Sequence, residues 1–219
     1  MTQRCPPPTR PLPLLRPGDV GEWTRPLVRI YSAGGAHPVT WGAFRHFGPH
    51  ARMRFDHHPP PARSHPTRGI AYLSASWTTP DGVVADPLAV AVLECFGETG
   101  VIDRQTAHPR LVLWAPTRPL RLLRLTDSDW LARAGGNAAL TSGARAVARA
   151  WSRAVYGDYG EVDGLIWASA PQPGGRSVAL YERAADALPP HPSSHRSLDD
   201  PALQPALARI AHDYRLDLV

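Results

Sequence analysis

The 219-residue sequence contains no lysine, so all 24 of its basic residues are arginine. It has only two cysteines, Cys5 and Cys95, and two methionines. The missing lysine excludes a G-x-x-x-x-G-K-[ST] phosphate loop, whose ammonium must reach the β- and γ-phosphates. No G-x-G-x-x-G occurs either, so the usual dinucleotide fingerprint is absent. Two cysteines give no disulfide framework and no zinc spacing. A cytoplasmic, reducing compartment is the default expectation. No apolar stretch approaches the ~20 residues that span a bilayer. The opening MTQRCPPPTRPLPLLRPGD is too rich in proline for a signal peptide. A membrane-spanning chain is therefore excluded, and export is not expected.

Proline is in excess, at 25 residues, and most of it sits near the two ends and in one internal loop. The charge is 24 basic against 19 acidic residues, net +5. Arginine is scattered and interleaved with Asp and Glu, whereas a nucleic-acid face needs basic residues clustered. Direct nucleic-acid binding is not expected. Residues 1–20 read as an irregular Pro-rich segment, 21–185 as one folded domain, and 186–219 as a Pro/Ser/His linker followed by an amphipathic helix.

Local chemistry places the elements. Asp86-Pro87 is a strong helix start, with Asp as N-cap and Pro at the first helical position. That helix runs through Leu88–Phe96 and stops by Gly97 or Gly100. Thr141 or Ser142 can cap a second helix to about Tyr156, with an apolar stripe at Ala144, Val147, Ala148, Trp151 and Val155. Pro201 to Tyr214 forms the last helix, able to pack on the core or to join an interface. Strand candidates are 27–31, 53–55, 70–73, 110–115, 120–125, 162–168 and 178–181, the last two flanking a Pro-Gly-Gly turn at 173–175. Strands and helices do not alternate regularly, so an α+β fold with small mixed sheets is expected over a doubly wound one.

Four residues stand out chemically. Glu94 interrupts a helix that is apolar on every side, and an unpaired buried carboxylate is costly, so it must be paired, protonated or facing a cleft or solvent. Arg54 lies between Met53 and Phe55; strand alternation would turn it away from them, toward a cleft or solvent. Arg29, in Val28-Arg29-Ile30-Tyr31, shows the same pattern. Ser169 ends the apolar run Gly164-Leu-Ile-Trp-Ala-Ser169, and no G-x-S-x-G surrounds it, so it is not read as a hydrolase nucleophile. Six histidines between 37 and 65 lack any metal-ligand spacing, and no metal is expected.

Taken in order, these pieces resemble the RES domain family, whose members include the toxins of Xre–RES toxin–antitoxin pairs. The matching segments are Arg29-Ile-Tyr31, Arg54-Phe55, Tyr72-Leu-Ser74, Ala91-Val-Leu-Glu94, Asp163–Ser169 and Val178-Ala-Leu-Tyr-Glu182. The family usually has a glycine before its Arg-Phe and an asparagine after it; Met53 and Asp56 stand there in this chain. The resemblance implies an ADP-ribosyltransferase-like fold and destruction of NAD, used as substrate without a metal. The nicotinamide–ribose bond would be cleaved and ADP-ribose passed to phosphate or water, the alternative being transfer to a cellular protein. It implies Glu94 as the catalytic carboxylate, Arg54 and Arg29 as phosphate holders, and Tyr72 and Tyr31 as stacking surfaces. Ser169 would contact ribose or orient Glu94. An Xre-type antitoxin is the implied partner, and homodimerisation is compatible with the family likeness.

Overall fold

The apolar runs of the sequence assemble into one eight-stranded sheet. The structure, a computed structural model, describes residues 4–78, 81–82, 84–172 and 174–219. The sheet strands are β1 (Val20–Trp23), β2 (Leu27–Ser32), β3 (Ile70–Ala75), β4 (Pro109–Trp114), β5 (Leu120–Arg124), β6 (Gly164–Ala168), β7 (Arg176–Tyr181) and β8 (Ser194–Ser197). Their order is β1-β5-β6-β7-β3-β2-β4-β8. The pair β5–β6 is parallel and the other pairs are antiparallel. The expected small sheets are present as three two-stranded ones among the described residues, but the fold is dominated by this large mixed sheet. The stretch read as a linker supplies β8, which pairs with β4.

Both faces of the central strands are covered, which is why β6 and β7 read as continuous apolar runs rather than alternating ones. Every residue of β7 is buried. On one face, Leu165, Trp167, Ala179 and Tyr181 pack against Ala148, Trp151 and Val155 of helix α2 (Arg145–Asp158). On the other, Ile166, Val178 and Leu180 pack with Leu73, Leu27 and Trp114 under Trp41, Phe44 and Leu188. A third cluster joins helix α1 (Pro87–Phe96) to helix α3 (Gln204–Tyr214), through Ala89 and Val92 on one side and Leu207 and Ile210 on the other. The last helix therefore packs on the core.

Helix α1 starts as its sequence dictates. The Asp86 carboxylate accepts the Leu88 N–H at 2.9 Å, and the Gly97 N–H closes the far end on Leu93 O at 2.9 Å. Ser74 Oγ donates to Pro87 O at 2.6 Å, tying the helix start to β3. Helix α2 starts later than Thr141 or Ser142, because those two residues end a separate turn, Ala139–Ser142. Gly143, with φ −83° and ψ −150°, is extended and breaks the path; Ala144 then leads into α2 without a side-chain cap. The Pro-rich arm is irregular but docked. Trp151 Nε1 donates to Pro6 O at 2.8 Å, Tyr159 Oη to Pro13 O at 2.5 Å, and the Leu12 N–H to Asp158 at 3.0 Å. Of the expected Pro-Gly-Gly turn, Pro173 lies outside the described residues.

Candidate active site

Glu94 stands in the last turn of α1, where the buried stretch Ala89–Leu93 ends and the helix emerges, so its side chain is exposed. The carboxylate is nevertheless held. Ser169 Oγ donates to Oε1 at 3.0 Å, and Ser177 Oγ donates to the same oxygen at 2.7 Å. Both serines are buried. Oε2 accepts no hydrogen bond among the described residues. The expectation that Glu94 must be paired or face outward is met in both senses.

Strand geometry brings the two serines together. Ser169 follows β6 directly, Ser177 lies in β7, and the register sets Trp167 opposite Ser177 and Ser177 opposite Ser74. Side chains alternate along a strand, so Trp167, Ser177 and Ser74 all face the helices. The Ser169 N–H closes the hairpin on Gly175 O at 2.9 Å. Arg176 braces it further, donating to Asp127 at 2.9 Å and to Gly175 O at 3.0 Å with its guanidinium 4.4 Å over the Trp77 ring. Ser177 escapes a reading of the sequence alone. Its one signal is a hydroxyl in an apolar strand, on the opposite arm of the hairpin that Ser169 opens.

Arg54 is not on a strand, since residues 51–52 and 54–55 form turns. No ladder organises this segment; a buried carboxylate does. Asp56, fully buried, accepts from Arg45 Nη2 at 2.8 Å, from the His50 N–H at 2.6 Å and from the His58 N–H at 3.2 Å, and shares a short bond with His58 Nδ1. Burial pushes the Asp56 carboxyl up, but these bonds and the Arg45 charge outweigh it and hold the group well below the usual carboxylate range. From α2, Arg149 donates to Ala51 O at 2.9 Å. Arg54 itself donates Nη1 to Gly143 O at 2.7 Å, just before α2. Burial and then the Arg145 charge lower the Arg54 pKa; Glu94 and Glu98 lie near enough to oppose them. The guanidinium and the Glu94 carboxylate therefore share one neighbourhood.

Tyr72 lies on the same face of β3 as Ser74, opposite Ala179. Its ring is half-buried, whereas its hydroxyl is fully buried and has no hydrogen-bond partner among the described residues. Burial pushes that hydroxyl's pKa far up. Arg29 and Tyr31, which the resemblance casts as a phosphate holder and a stacking surface, do not join the cluster. On β2 they alternate with Val28 and Ile30 and point to the face away from α1. Arg29 Nη1 donates to Trp41 O at 2.9 Å and Ala43 O at 2.7 Å, and burial lowers its pKa to about 10. Tyr31 Oη lies 2.5 Å from His195 Nε2.

The histidines serve the loop around Asp56. His46 Nδ1 and His58 Nε2 donate to Arg68 O at 2.8 and 3.0 Å, and His65 Nε2 to Gly48 O at 3.2 Å. Among the described residues, no three His, Cys, Asp or Glu side chains form a metal-binding group, and no helix is long and apolar enough to cross a membrane. A groove of about 530 Å³ opens elsewhere, lined by Glu22, Arg118, Arg121, Glu161, Asp163 and Arg183. It lies at the start of β6, the end away from Ser169. Arg118 is bound there to Asp163 and Asp186, and Arg183 to the carbonyls of Tyr156, Tyr159 and Gly160. It contains no member of the Glu94 cluster.

No protein-family model matches this sequence, and no curated protein does. Among solved structures, a chain from the crystal structure of the M. tuberculosis MbcT–MbcA toxin–antitoxin complex is similar to it, with a TM-score of 0.53 and 19% identity over 87% of this chain and 92% of that one. At this identity the likeness is one of fold: the large mixed sheet flanked by helices is shared with a chain of that complex.

Proposed function

We propose that this protein is a toxin of the RES type, with an ADP-ribosyltransferase-like fold, that cleaves the nicotinamide–ribose bond of NAD and passes ADP-ribose to phosphate or water. The observation that carries the reading is the Glu94 carboxylate, fixed at one oxygen by Ser169 and Ser177, open at the other, and in the same neighbourhood as Arg54. The similarity to a chain of a toxin–antitoxin complex supports it.

The chemistry suits these residues. Nicotinamide leaves as a neutral ring from a cationic one, so the bond breaks without a metal through an oxocarbenium-like sugar. An anion beside that sugar stabilises the developing charge. A unit pair at ~4 Å with an effective dielectric of ~20 is worth about 4 kcal/mol, or about 10³ in rate. Glu94 supplies the anion through Oε2. Arg54 keeps its remaining N–H donors for the diphosphate, which planar guanidinium groups bind bidentately. The half-buried Tyr72 ring offers a flat surface for the leaving base. A toxin acting on the cell's own NAD needs restraint, and a protein antitoxin of the Xre type is the proposed partner.

The test is nicotinamide release by the pure protein from NAD, with and without phosphate. Release is expected, and Glu94→Gln should lose at least ~10²-fold in rate while remaining folded. A wild-type protein that releases nothing in either buffer refutes the reading. A labelled protein band, formed from labelled NAD in a lysate, would replace the small acceptor with a macromolecular one.

A further inference from the structure

Ser177 spends its single hydroxyl proton on an oxygen that Ser169 already binds. Carboxylates have room for about four donors across two oxygens, so placing both on Oε1 is asymmetric. The two donors arrive from adjacent strands joined by a short hairpin, and that hairpin is itself locked. The Ser169 N–H to Gly175 O bond, the Trp167–Ser177 register and the Arg176–Asp127 pair each fix the distance between the two hydroxyls. Ser177 is 4% exposed and Ser169 is 6% exposed, while Glu94 reaches solvent. One carboxylate oxygen is thus bound by two buried serines, and the other accepts no hydrogen bond among the described residues.

From this geometry we infer that Ser177 is a positioning residue: with Ser169 it clamps Glu94 Oε1 and makes Oε2 the single oxygen presented to substrate. The inference rests on the proposed reaction at Glu94 and adds which atom works and what aims it. A carboxylate held at one oxygen cannot rotate about its last bond. The alignment of Oε2 with the anomeric carbon is then set before substrate arrives, and orientation of this kind acts on the chemical step. Ser74, the register partner of Ser177, extends the same design by fastening the other end of α1 to the sheet.

The test compares wild type with Ser177→Ala, Ser169→Ala and the double variant, reading kcat and KM for nicotinamide release, thermal midpoint, and a crystal structure of Ser177→Ala. Each single variant is expected to lose about tenfold in kcat, with KM within about twofold and the midpoint moved by only a few degrees. The double variant should lose more than the product of the singles, because each serine alone still holds the shared oxygen. In the Ser177→Ala crystal, the Glu94 carboxylate should turn or spread over two positions. An active wild type with unchanged kcat in Ser177→Ala overturns the inference and leaves the reaction standing. An inactive wild type overturns the reaction, and the crystal then decides the clamp: an unmoved Glu94 overturns that too.

Discussion

Replacing Asp56 with asparagine tests whether the Arg54 loop is held by one buried anion. The carboxylate has four donors around it, two on each oxygen. Oδ2 takes Arg45 Nη2 and the His50 N–H; Oδ1 takes the His58 N–H and shares the short bond with His58 Nδ1. Asparagine keeps one acceptor oxygen and turns the other into an NH₂. If the oxygen stays toward Arg45, the amide faces the His58 backbone N–H; if it flips, the amide faces Arg45 and His50. Either way at least one buried donor loses its acceptor, which costs roughly 1–3 kcal/mol. The Arg45 charge also loses its partner. Arg45 is partly exposed and Asp56 is not, so about 1–2 kcal/mol is reasonable for that part rather than the 3–5 of a fully buried pair. The sum is about 2–5 kcal/mol, a large share of the 5–15 kcal/mol of a typical domain. Urea unfolding at pH 7, followed by tryptophan fluorescence, should show a lower midpoint at unchanged slope. A loss below about 1 kcal/mol would refute the argument that Asp56 organises this loop.

Acid should destabilise the protein in two steps. Burial pushes the Glu182 carboxyl up, but His57 at 3.5 Å, the Gly69 N–H and the Tyr156 hydroxyl overcome it and hold the group at about 2. A depressed carboxyl contributes stability above its unfolded value near 4.5 and loses it as pH falls toward about 2. With the side chain 22% exposed, about 2 kcal/mol is a fair discounted figure. His57 is depressed by burial from 6.5, so the fold prefers it neutral, and that contribution begins to fall once pH drops below about 6.5. Thermal midpoints between pH 8 and 3 should decline in both windows, and Glu182→Gln should make the lower decline shallower without abolishing it, because the depressed Asp56 carboxyl also loses its contribution there; a flat profile contradicts both assignments. Trp151→Phe should cost about 1 kcal/mol through the lost bond to Pro6 O. It should also speed proteolysis within residues 4–17, while nicotinamide release stays unchanged; unchanged cleavage would show that the bond does not hold the arm.

What the sequence made legible was local. Asp86-Pro87 and Gly97 bounded α1 because capping needs only neighbouring residues, and the apolar runs of β6 and β7 marked both as strands. The start of α2 was missed because Thr141 and Ser142 are good caps that the extended Gly143 disconnects. Arg29 and Arg54 sit in identical apolar–Arg–apolar patterns, and nothing local says which face each will choose. Pairing of β2 with β3 and β4 sent Arg29 to the far side, whereas the loop around Asp56 let Arg54 reach the Gly143 carbonyl, within electrostatic reach of Glu94. Ser177 became visible only once β7 lay beside β6, since a serine in a strand carries no message until its register partners are known.

Helix α3 braces α1 from outside: Leu207 and Ile210 lie against Ala89 and Val92, and Arg209 pairs with Asp86 at 3.1 Å. The aim of Glu94 thus depends on residues more than a hundred positions downstream. On the toxin reading proposed above, a genetic selection for surviving cells should accordingly return lesions in this terminal helix alongside those at the carboxylate itself. Such alleles would blunt the chemistry from a distance, by letting its platform tilt.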